Sequence, residues 1–329
     1  LHHPEGAVKG VAPILLLSLL AGCSDTGSPG PDADAAGDAD LDAEGEVDGD
    51  ARLDGDEDLD QHGEDGEVDG EDGHGGDGDL DGEEEPPPAP LVAVYDDSME
   101  PDGSAWAEGL ALIEEALDGS GLDHARLSRS RLAGAPDPLD GFDAIVFGGG
   151  YAYPGYTMAI PPAAKALLID FVERGGVLVG ICAGAYFTCD FVEWEGETWG
   201  DESGYDLDLF SGTCRGPLAT IASYPDFGVA EVVFGPHPAL PAALTDGSPA
   251  AVWYAGGPWF DGGGPSVEVL ASYSGEDLPE AGHPAIVTMP LGEGRVILFG
   301  PHPEVTGDPV PLESRATLGL LIAWAVEEA

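Results

Sequence analysis

A run of acidic residues and glycines between residues 24 and 90 sets the strongest limit on what this chain can fold into. It holds 27 of the chain's 64 acidic residues, a single basic residue (Arg52) and no Phe, Tyr or Trp. A segment with so little apolar surface to bury cannot offset the entropy lost on ordering. We therefore expect residues 23–90 to form a disordered acidic tether, and residues 91–329 to form one well-buried domain.

The chain as a whole is strongly acidic. Its formal net charge is −54, and it contains only two lysines, Lys9 and Lys165. Proteins that bind nucleic acid need a basic surface to neutralise phosphates. The composition therefore excludes nucleic acid as an expected partner, and we interpret the acidity mainly as a source of solubility and repulsion.

The N-terminal residues have the pattern of an export signal. Lys9 precedes an apolar run at residues 11–21, which is shorter than the about 20 residues that a membrane-spanning helix needs. The run ends in Leu-Ala-Gly followed by Cys23, which resembles the lipobox of bacterial lipoproteins. An ordinary signal peptide with an incidental cysteine is the alternative.

The lipobox resemblance implies a location as well as a modification. Residues 1–22 would be removed as a signal peptide, and Cys23 would carry acyl chains such as palmitate. The protein would then be held by this lipid anchor in the cell envelope, outside the cytoplasmic membrane. In a Gram-negative envelope, Ser24 after the cysteine favours the outer membrane.

One stretch of the acidic segment invites comparison with a calcium loop. Asp77, Asp79 and Asp81 followed by Gly82 match the first half of an EF-hand loop. The twelfth position of that loop needs a bidentate glutamate, and here it is Pro88. We therefore expect no specific metal site, and a self-repelling spacer that ends in a proline-rich junction.

Beyond residue 90, short apolar runs alternate with stretches of helical spacing. The apolar runs predict buried strands at 91–95, 144–147, 177–181 and 295–299. The helical spacing predicts helices at 106–117, 163–173 and 312–326, and another directly after residue 182. This alternation predicts an α/β fold with a mostly parallel sheet and helices on both faces. Residues 205–290, with shorter strands and many glycines, predict a more antiparallel part of the same domain.

The segment Gly180-Ile181-Cys182-Ala183-Gly184 lies between a predicted strand and a predicted helix. It has the form of a nucleophile elbow with cysteine as the nucleophile. The glycines permit a sharp turn, and N–H groups at the start of the helix favour thiolate over thiol. We expect an oxyanion to bind the N–H of Ala183 and a second N–H from Gly149 or Gly150, with Gly149 as the first candidate.

A second segment, Gly300-Pro301-His302-Pro303-Glu304, also follows a predicted strand. A thiol nucleophile needs a base, and the base needs an orienting group. His302 and Glu304 supply both at the carboxyl end of a strand, where ligands bind in open α/β sheets. A near copy around His237 has Ala239 in place of the glutamate, so we predict a structural role for His237.

Together these segments resemble the class I glutamine amidotransferases, and more closely the amidotransferase-like domain at the N-terminus of some biotin–protein ligases. The resemblance covers roughly residues 91–329. The segments that carry it are residues 147–150, 173–176, 180–187, 254–258 and 302–304. It implies a flavodoxin-like sheet, Cys182 as nucleophile, His302 as base and Glu304 as orienting group.

The cysteines are consistent with a free thiol at position 182. If one helix ran from Cys182 to Cys189, their Cα atoms would lie about 10 Å apart, beyond the about 7 Å that a disulfide can span. In an oxidising compartment, Cys189 and Cys214 are then the predicted disulfide. Seven aromatic residues could line a pocket near the thiol: Tyr151, Tyr153, Tyr156, Tyr186, Trp253, Tyr254 and Trp259.

The first functional hypothesis is an exported, lipid-anchored thiol hydrolase. It would cleave an amide or related acyl bond of a small-molecule or peptide substrate through a thioester, with no metal or organic cofactor. One alternative is a catalytically silent binding domain displayed on the tether. Another is a thiol peptidase of a related flavodoxin-like family, which would release peptides instead of ammonia.

Overall fold

The computed structural model of the chain describes residues 89–200 and 206–329. The predicted signal segment, Cys23, the acidic tether up to residue 88 and its EF-hand-like stretch lie outside the described residues. Among the helices of the described part, none combines the length and the apolar character that a membrane span requires.

Thirteen strands and six α-helices make up the described ranges. The strands are β1 (Leu91–Asp96), β2 (Asp123–Ser128), β3 (Ala144–Phe147), β4 (Val177–Ile181), β5 (Cys189–Trp194), β6 (Glu197–Gly200), β7 (Phe210–Gly216), β8 (Gly228–Phe234), β9 (Ala250–Tyr254), β10 (Trp259–Gly262), β11 (Glu268–Ser274), β12 (Pro284–Leu291) and β13 (Gly294–Phe299). The helices are α1 (Ala107–Gly119), α2 (Arg129–Gly134), α3 (Thr157–Ala159), α4 (Pro162–Glu173), α5 (Ala183–Phe187) and α6 (Leu312–Glu328), and a π-helical turn spans Ala152–Tyr156.

The larger sheet has nine strands in the order β2-β1-β3-β4-β13-β12-β11-β8-β9. The first five pair in parallel. With β13 counted as the fifth strand of this half, their order is the 2-1-3-4-5 of flavodoxin-like sheets. Strands β3 and β4 are buried along their whole length, as strands covered on both faces must be. The predicted α/β fold and its flavodoxin-like sheet are confirmed.

Helices cover both faces of this parallel half. The crossovers from β1 to β2 and from β3 to β4 run in opposite directions along the sheet. Because crossovers between parallel strands are right-handed, α1 and α4 lie on opposite faces. Helix α6 packs against α1, and α2 packs against α4. Each face of the sheet therefore carries a pair of helices, and the main core lies between those pairs and the strands.

The rest of the larger sheet is antiparallel, from β13 through β12, β11 and β8 to β9. A separate four-stranded sheet has the order β10-β7-β5-β6, and it begins just after α5. Both features fall within or next to residues 205–290, and the expectation of a more antiparallel part there is confirmed.

The helix expected directly after residue 182 is present, but the condition used in the cysteine argument is not met. The helix after Cys182 ends at Phe187, and Cys189 already belongs to β5. Thr188 ends the helix because its hydroxyl and its N–H both donate to the carbonyl of Ala185, at 2.7 and 3.1 Å. The premise that one helix joins Cys182 to Cys189 is therefore incorrect.

Candidate active site

Three adjacent parallel strands bring the predicted catalytic segments together. Cys182 follows β4, His302 lies three residues after the end of β13, and Gly149 lies two residues after the end of β3. The order β3-β4-β13 places β4 in the middle. Because the carboxyl ends of parallel strands meet at one edge, the three segments converge there, as open α/β sheets require of a ligand site.

Cys182 occupies a sharp turn between β4 and α5. Its backbone has φ 51° and ψ −102°, a conformation that side-chain-bearing residues rarely adopt. Close packing requires the glycines on both sides. A Cβ at Gly180 would lie 2.6 Å from the carbonyl oxygen of Gly184, and a Cβ at Gly184 would clash with the backbone of Phe147. The turn is thus built as a nucleophile elbow.

The Cys182 thiol is free and only 7% exposed. Its Sγ donates a hydrogen bond to the carbonyl of Ala255 at 3.4 Å. The segment 255–258 that carries this carbonyl is held by three buried tyrosine hydroxyls. They are those of Tyr186, Tyr254 and Tyr273, which donate to the carbonyls of Gly256, Gly257 and Pro258 at 3.1, 2.8 and 2.9 Å. A rigid wall therefore faces the sulfur.

His302 and Glu304 form a buried pair beside the thiol. The His302 Nδ1 lies 2.7 Å from Glu304 Oε1, and both side chains are buried. The other ring nitrogen, Nε2, is buried without a hydrogen-bond partner among the described residues. Glu304 thus orients the ring through Nδ1 and leaves Nε2 available for proton transfer.

The charge on the His302 ring depends on burial and on two acidic neighbours, Glu304 and Cys182. Burial is the largest single influence on His302 and favours the neutral ring, but the negative charges of Glu304 and of a Cys182 thiolate outweigh it. Together they hold the pKa of His302 well above its usual range. The thiol itself donates its hydrogen bond to the Ala255 carbonyl, so the effect of Cys182 on the pKa of His302 comes from a negative charge on the sulfur. The arrangement favours the protonated, positively charged form of the His302 ring.

The loop that carries His302 is fastened from three sides. The His302 N–H donates to the carbonyl of Trp253 at 2.8 Å, and the Trp106 ring meets the imidazole edge to face, with centroids 5.9 Å apart. From α6, Arg315 Nε donates to the Glu304 carbonyl at 2.9 Å. These contacts fix the ring position, which proton transfer requires.

The predicted oxyanion donors lie at the same edge. The carbonyl of Gly148 accepts from the Tyr156 hydroxyl at 3.2 Å and from the Gly184 N–H at 3.2 Å. In a trans peptide the next N–H, that of Gly149, points the opposite way, and no hydrogen bond among the described residues uses it. The N–H of Ala183 opens α5, where the first helical N–H groups have no intrahelical acceptor.

Gly149 also makes room for the base. A Cβ at this position would lie 2.6 Å from Cε1 of His302. The imidazole therefore rests directly on the glycine backbone, and a side chain there would displace it.

Two cysteines lie behind the elbow. Cys189 and Cys214 form a disulfide with their Cα atoms 6.1 Å apart, and both sulfurs contact the carbonyl of Ala185 in α5. The disulfide joins β5 to β7, which are parallel neighbours. It therefore ties the smaller sheet together directly beneath the helix that follows Cys182.

Sequence reasoning did not identify every residue around the thiol. Of the seven aromatic candidates, Tyr156, Tyr186 and Tyr254 are buried core residues, whereas Tyr151 and Tyr153 are about half exposed. The wall at Ala255, the ring contact of Trp106 and the neighbouring Trp194 and Tyr224 were not predicted. The sequence signal for the wall was the segment 254–258, which carries part of the family resemblance but gave no role for the Ala255 carbonyl. Within the described ranges, no cluster of His, Cys, Asp and Glu could hold a metal ion.

Comparison with known proteins gives a consistent family. Residues 139–317 match the family described as "Biotin-protein ligase, N terminal". A biotin–protein ligase of Schizosaccharomyces pombe is 27% identical over 168 residues, which are 48% of this chain and 25% of that protein. An uncharacterised protein of Chlamydia muridarum is 33% identical over 168 residues, covering 49% of this chain and 60% of that protein.

Among solved structures, a glutamine amidotransferase has a TM-score of 0.45 and 20% identity, covering 71% of this chain and 98% of that one. The match to this chain spans about a quarter of the ligase and three fifths of the Chlamydia protein.

Proposed function

Since the chain belongs to the biotin–protein ligase N-terminal family, we propose that it is an amidotransferase-like thiol hydrolase that cleaves an amide or related acyl bond. Cys182 is the nucleophile, His302 moves the proton and Glu304 orients His302. The N–H groups of Gly149 and Ala183 bind the oxyanion. The observation that carries the proposal is the buried His302–Glu304 pair, with Nδ1 and Oε1 2.7 Å apart, at the same carboxyl edge of the sheet as Cys182.

The proposed reaction needs only these groups and water. The Cys182 thiolate attacks the amide carbon, and the carbonyl electron pair moves to the oxygen, where the two N–H groups stabilise it. The His302 imidazolium gives its proton to the leaving nitrogen, the C–N bond breaks, and a thioester remains. His302 then takes a proton from water as the water oxygen bonds to the thioester carbon. The C–S bond breaks, the acid leaves, and Cys182 is again a thiolate beside the protonated His302.

The proposal includes a location. The lipobox-like segment before Cys23 supports a lipid-anchored protein of the cell envelope, with the acidic residues up to position 90 as the spacer. A disulfide between Cys189 and Cys214 fits an oxidising compartment. Labelling of cells with a radioactive fatty acid tests this part: label lost in Cys23→Ala supports the anchor, and label retained contradicts it.

Alkylation of Cys182 tests the catalytic part. Iodoacetamide rates are measured from pH 5 to 9 on the purified chain, and peptide mapping separates Cys182 from Cys23. We expect fast alkylation well below pH 8.5, the value typical of an unperturbed thiol, and its loss in Cys182→Ser. A rate that rises only near pH 8.5 would show an unactivated thiol and remove the basis for a hydrolase.

The burial of Cys182 favours one alternative, a silent binding domain. A sulfur with 7% exposure is reached by a substrate only if the site opens or the substrate is narrow. A ligand that binds equally to the wild-type chain and to Cys182→Ser, without turnover by either, would support this alternative.

A further inference from the structure

An exposed group of aromatic side chains lies beside Cys182. We call it the aromatic shelf: Tyr151, Tyr153, Trp194, Trp199 and Tyr224. Four of its members are between 41% and 54% exposed, and Trp194 is half-buried. Tyr153 packs on Trp199 with ring centroids 5.1 Å apart, and Trp194 meets Tyr224 edge to face at 5.2 Å. Large aromatic groups left in water in this way often mark binding surfaces.

The shelf adjoins the wall that faces the thiol. A Cβ at Gly256 would lie 2.9 Å from Cδ2 of Tyr224 and 3.3 Å from Cη2 of Trp194, and Gly256 directly follows the Ala255 carbonyl bound by Cys182. Burial, the charge and hydrogen bond of Tyr151, and the charge of a Cys182 thiolate raise the pKa of Tyr224 to about 12. The shelf therefore continues outward from the nucleophile.

A carboxylate shares the shelf. In the β5–β6 hairpin, Trp194 pairs with Glu197 and Val192 pairs with Trp199. Directly paired residues lie on one face, as do residues two apart along a strand. Trp194, Glu197 and Trp199 therefore project from the same face, and Glu197 is exposed.

The hairpin's basic neighbour lies on the opposite face. Arg215 is bound to Glu193 and donates to Asp261 at 2.9 Å. Glu193 is adjacent to Trp194 and so projects from the other face of the strand. On the part of the shelf described by the structure, the charge is thus negative and the aromatic rings are partly exposed to solvent. Such a surface suits a cationic group at the end of an aliphatic side chain.

We propose that the aromatic shelf binds a positively charged side chain, such as the lysine side chain of a peptide amide, and so directs basic peptide amides to Cys182. The proposal rests on the proposed hydrolase function for its catalytic consequence, but the binding itself does not need turnover.

Binding to the full chain carrying Cys182→Ser tests the shelf without catalysis. The probes are Nα-acetyl-lysinamide and the neutral Nα-acetyl-norleucinamide, whose side chain has the same four carbons without the ammonium group, compared by isothermal titration. We expect the lysine compound to bind roughly five- to thirtyfold more tightly, the range for a cation over partly exposed rings. The ratio should fall as salt is raised, because the Glu197 contribution is screened.

Variants at two shelf positions, with a control elsewhere, separate the shelf from the general acidity of the chain. Glu197→Gln should reduce the lysine preference at least twofold, and Trp199→Ala should reduce it while Trp199→Phe restores part of it. Glu293→Gln is the matched control: it removes the same charge from the turn before β13, at the opposite edge of the sheet, and should leave the ratio unchanged.

The outcomes distinguish this inference from the hydrolase proposal. Equal binding of the two probes, or a ratio that ignores Glu197 and Trp199, overturns the shelf even if the wild-type chain hydrolyses amides. A shelf-dependent lysine preference supports it, and a wild-type chain that binds in this way but never releases ammonia from the lysinamide contradicts only the hydrolase.

Discussion

Two nearly identical segments of this chain, Gly-Pro-His237-Pro and Gly-Pro-His302-Pro, have opposite electrostatic environments. Both follow a strand and both histidines are buried. Around His302, Glu304 and Cys182 hold the pKa well above its usual range despite burial. At His237, burial lowers the pKa and Arg295 adds to this effect, against the charge of Glu268.

Strand direction separates the two sites in space. From β13 to β8 the sheet passes through three antiparallel pairings, so β8 runs opposite to β13. The segment after β8 therefore lies at the edge of the sheet away from Cys182. There His237 accepts a hydrogen bond from the Ala239 N–H at 3.3 Å and packs edge to face on Trp324, 4.4 Å between centroids.

The comparison shows what a four-residue motif does and does not specify. The prolines and glycine produce a similar loop, but the chemistry depends on the residue two positions after the histidine and on the edge where the strand ends. The prediction of a structural role for His237 agrees with its contacts, and the same reasoning supports His302 as the proposed base.

Removing each ring in turn should give the largest contrast. We expect His302→Asn to lower amide turnover by about 10² to 10⁴, the usual contribution of a positioned acid–base group. Alkylation of Cys182 at pH 7 should fall roughly ten- to thirtyfold, because an unperturbed thiol is only a few per cent ionised there. His237→Asn should change both rates less than about twofold. Similar losses in the two variants would mean that His302 acts only through stability, which urea unfolding would reveal.

The sequence predicted the parallel half of the sheet because its inner strands are uninterrupted apolar runs, as in Val177–Ile181. It did not predict β2, an edge strand with the sequence Asp-His-Ala-Arg-Leu-Ser, in which Leu127 alone is fully buried. Strand β2 lies at the edge of the sheet, where side chains are less completely covered and need not be apolar. The hydrophobic pattern therefore gave no signal for this strand.

The candidate site was only partly predictable for a similar reason. Cys182 and His302 each follow a strong strand pattern, but no spacing reveals that β13 pairs with β4 across more than a hundred residues. The position of the aromatic shelf beside Cys182 could not be predicted from the sequence either. Trp194 and Trp199 lie on a hairpin of the smaller sheet, whose position beside Cys182 follows from the tertiary fold and the contact with Gly256.

A smaller difference is expected between alanine substitutions of two glycines, Gly149 beside the His302 ring and Gly235 two residues before His237. Gly149→Ala would place a Cβ 2.6 Å from the His302 ring, whereas a Cβ at Gly235 would meet its nearest atom at 3.7 Å. We expect Gly149→Ala to displace the ring and slow turnover about 10²-fold, with about 1–3 kcal/mol lost from the free energy of unfolding. Gly235→Ala should stay within about 0.5 kcal/mol and keep full alkylation. Unchanged rates in Gly149→Ala would place the functional ring elsewhere.

The smallest and most specific contrast is in the titration of the two rings, followed by NMR of the imidazole Cε1–H signals. Glu304→Gln removes the carboxylate that raises the pKa of His302, so that pKa should fall. Ala239→Glu adds a carboxylate at the equivalent position, so the pKa of His237 should rise, without any thiol becoming reactive at that edge.

The free energies of unfolding of the wild-type chain and of Glu304→Gln should differ because of the raised pKa of His302. A raised pKa in the folded state stabilises the protein fully below the unfolded value of about 6.5, and this stabilisation is lost as the pH rises through the folded value. Glu304→Gln should therefore cost most stability at pH 6 and progressively less at higher pH. A cost that grows with pH would show that Glu304 stabilises the fold by some route other than the charge on His302, and the contrast between the two histidines would then need another cause.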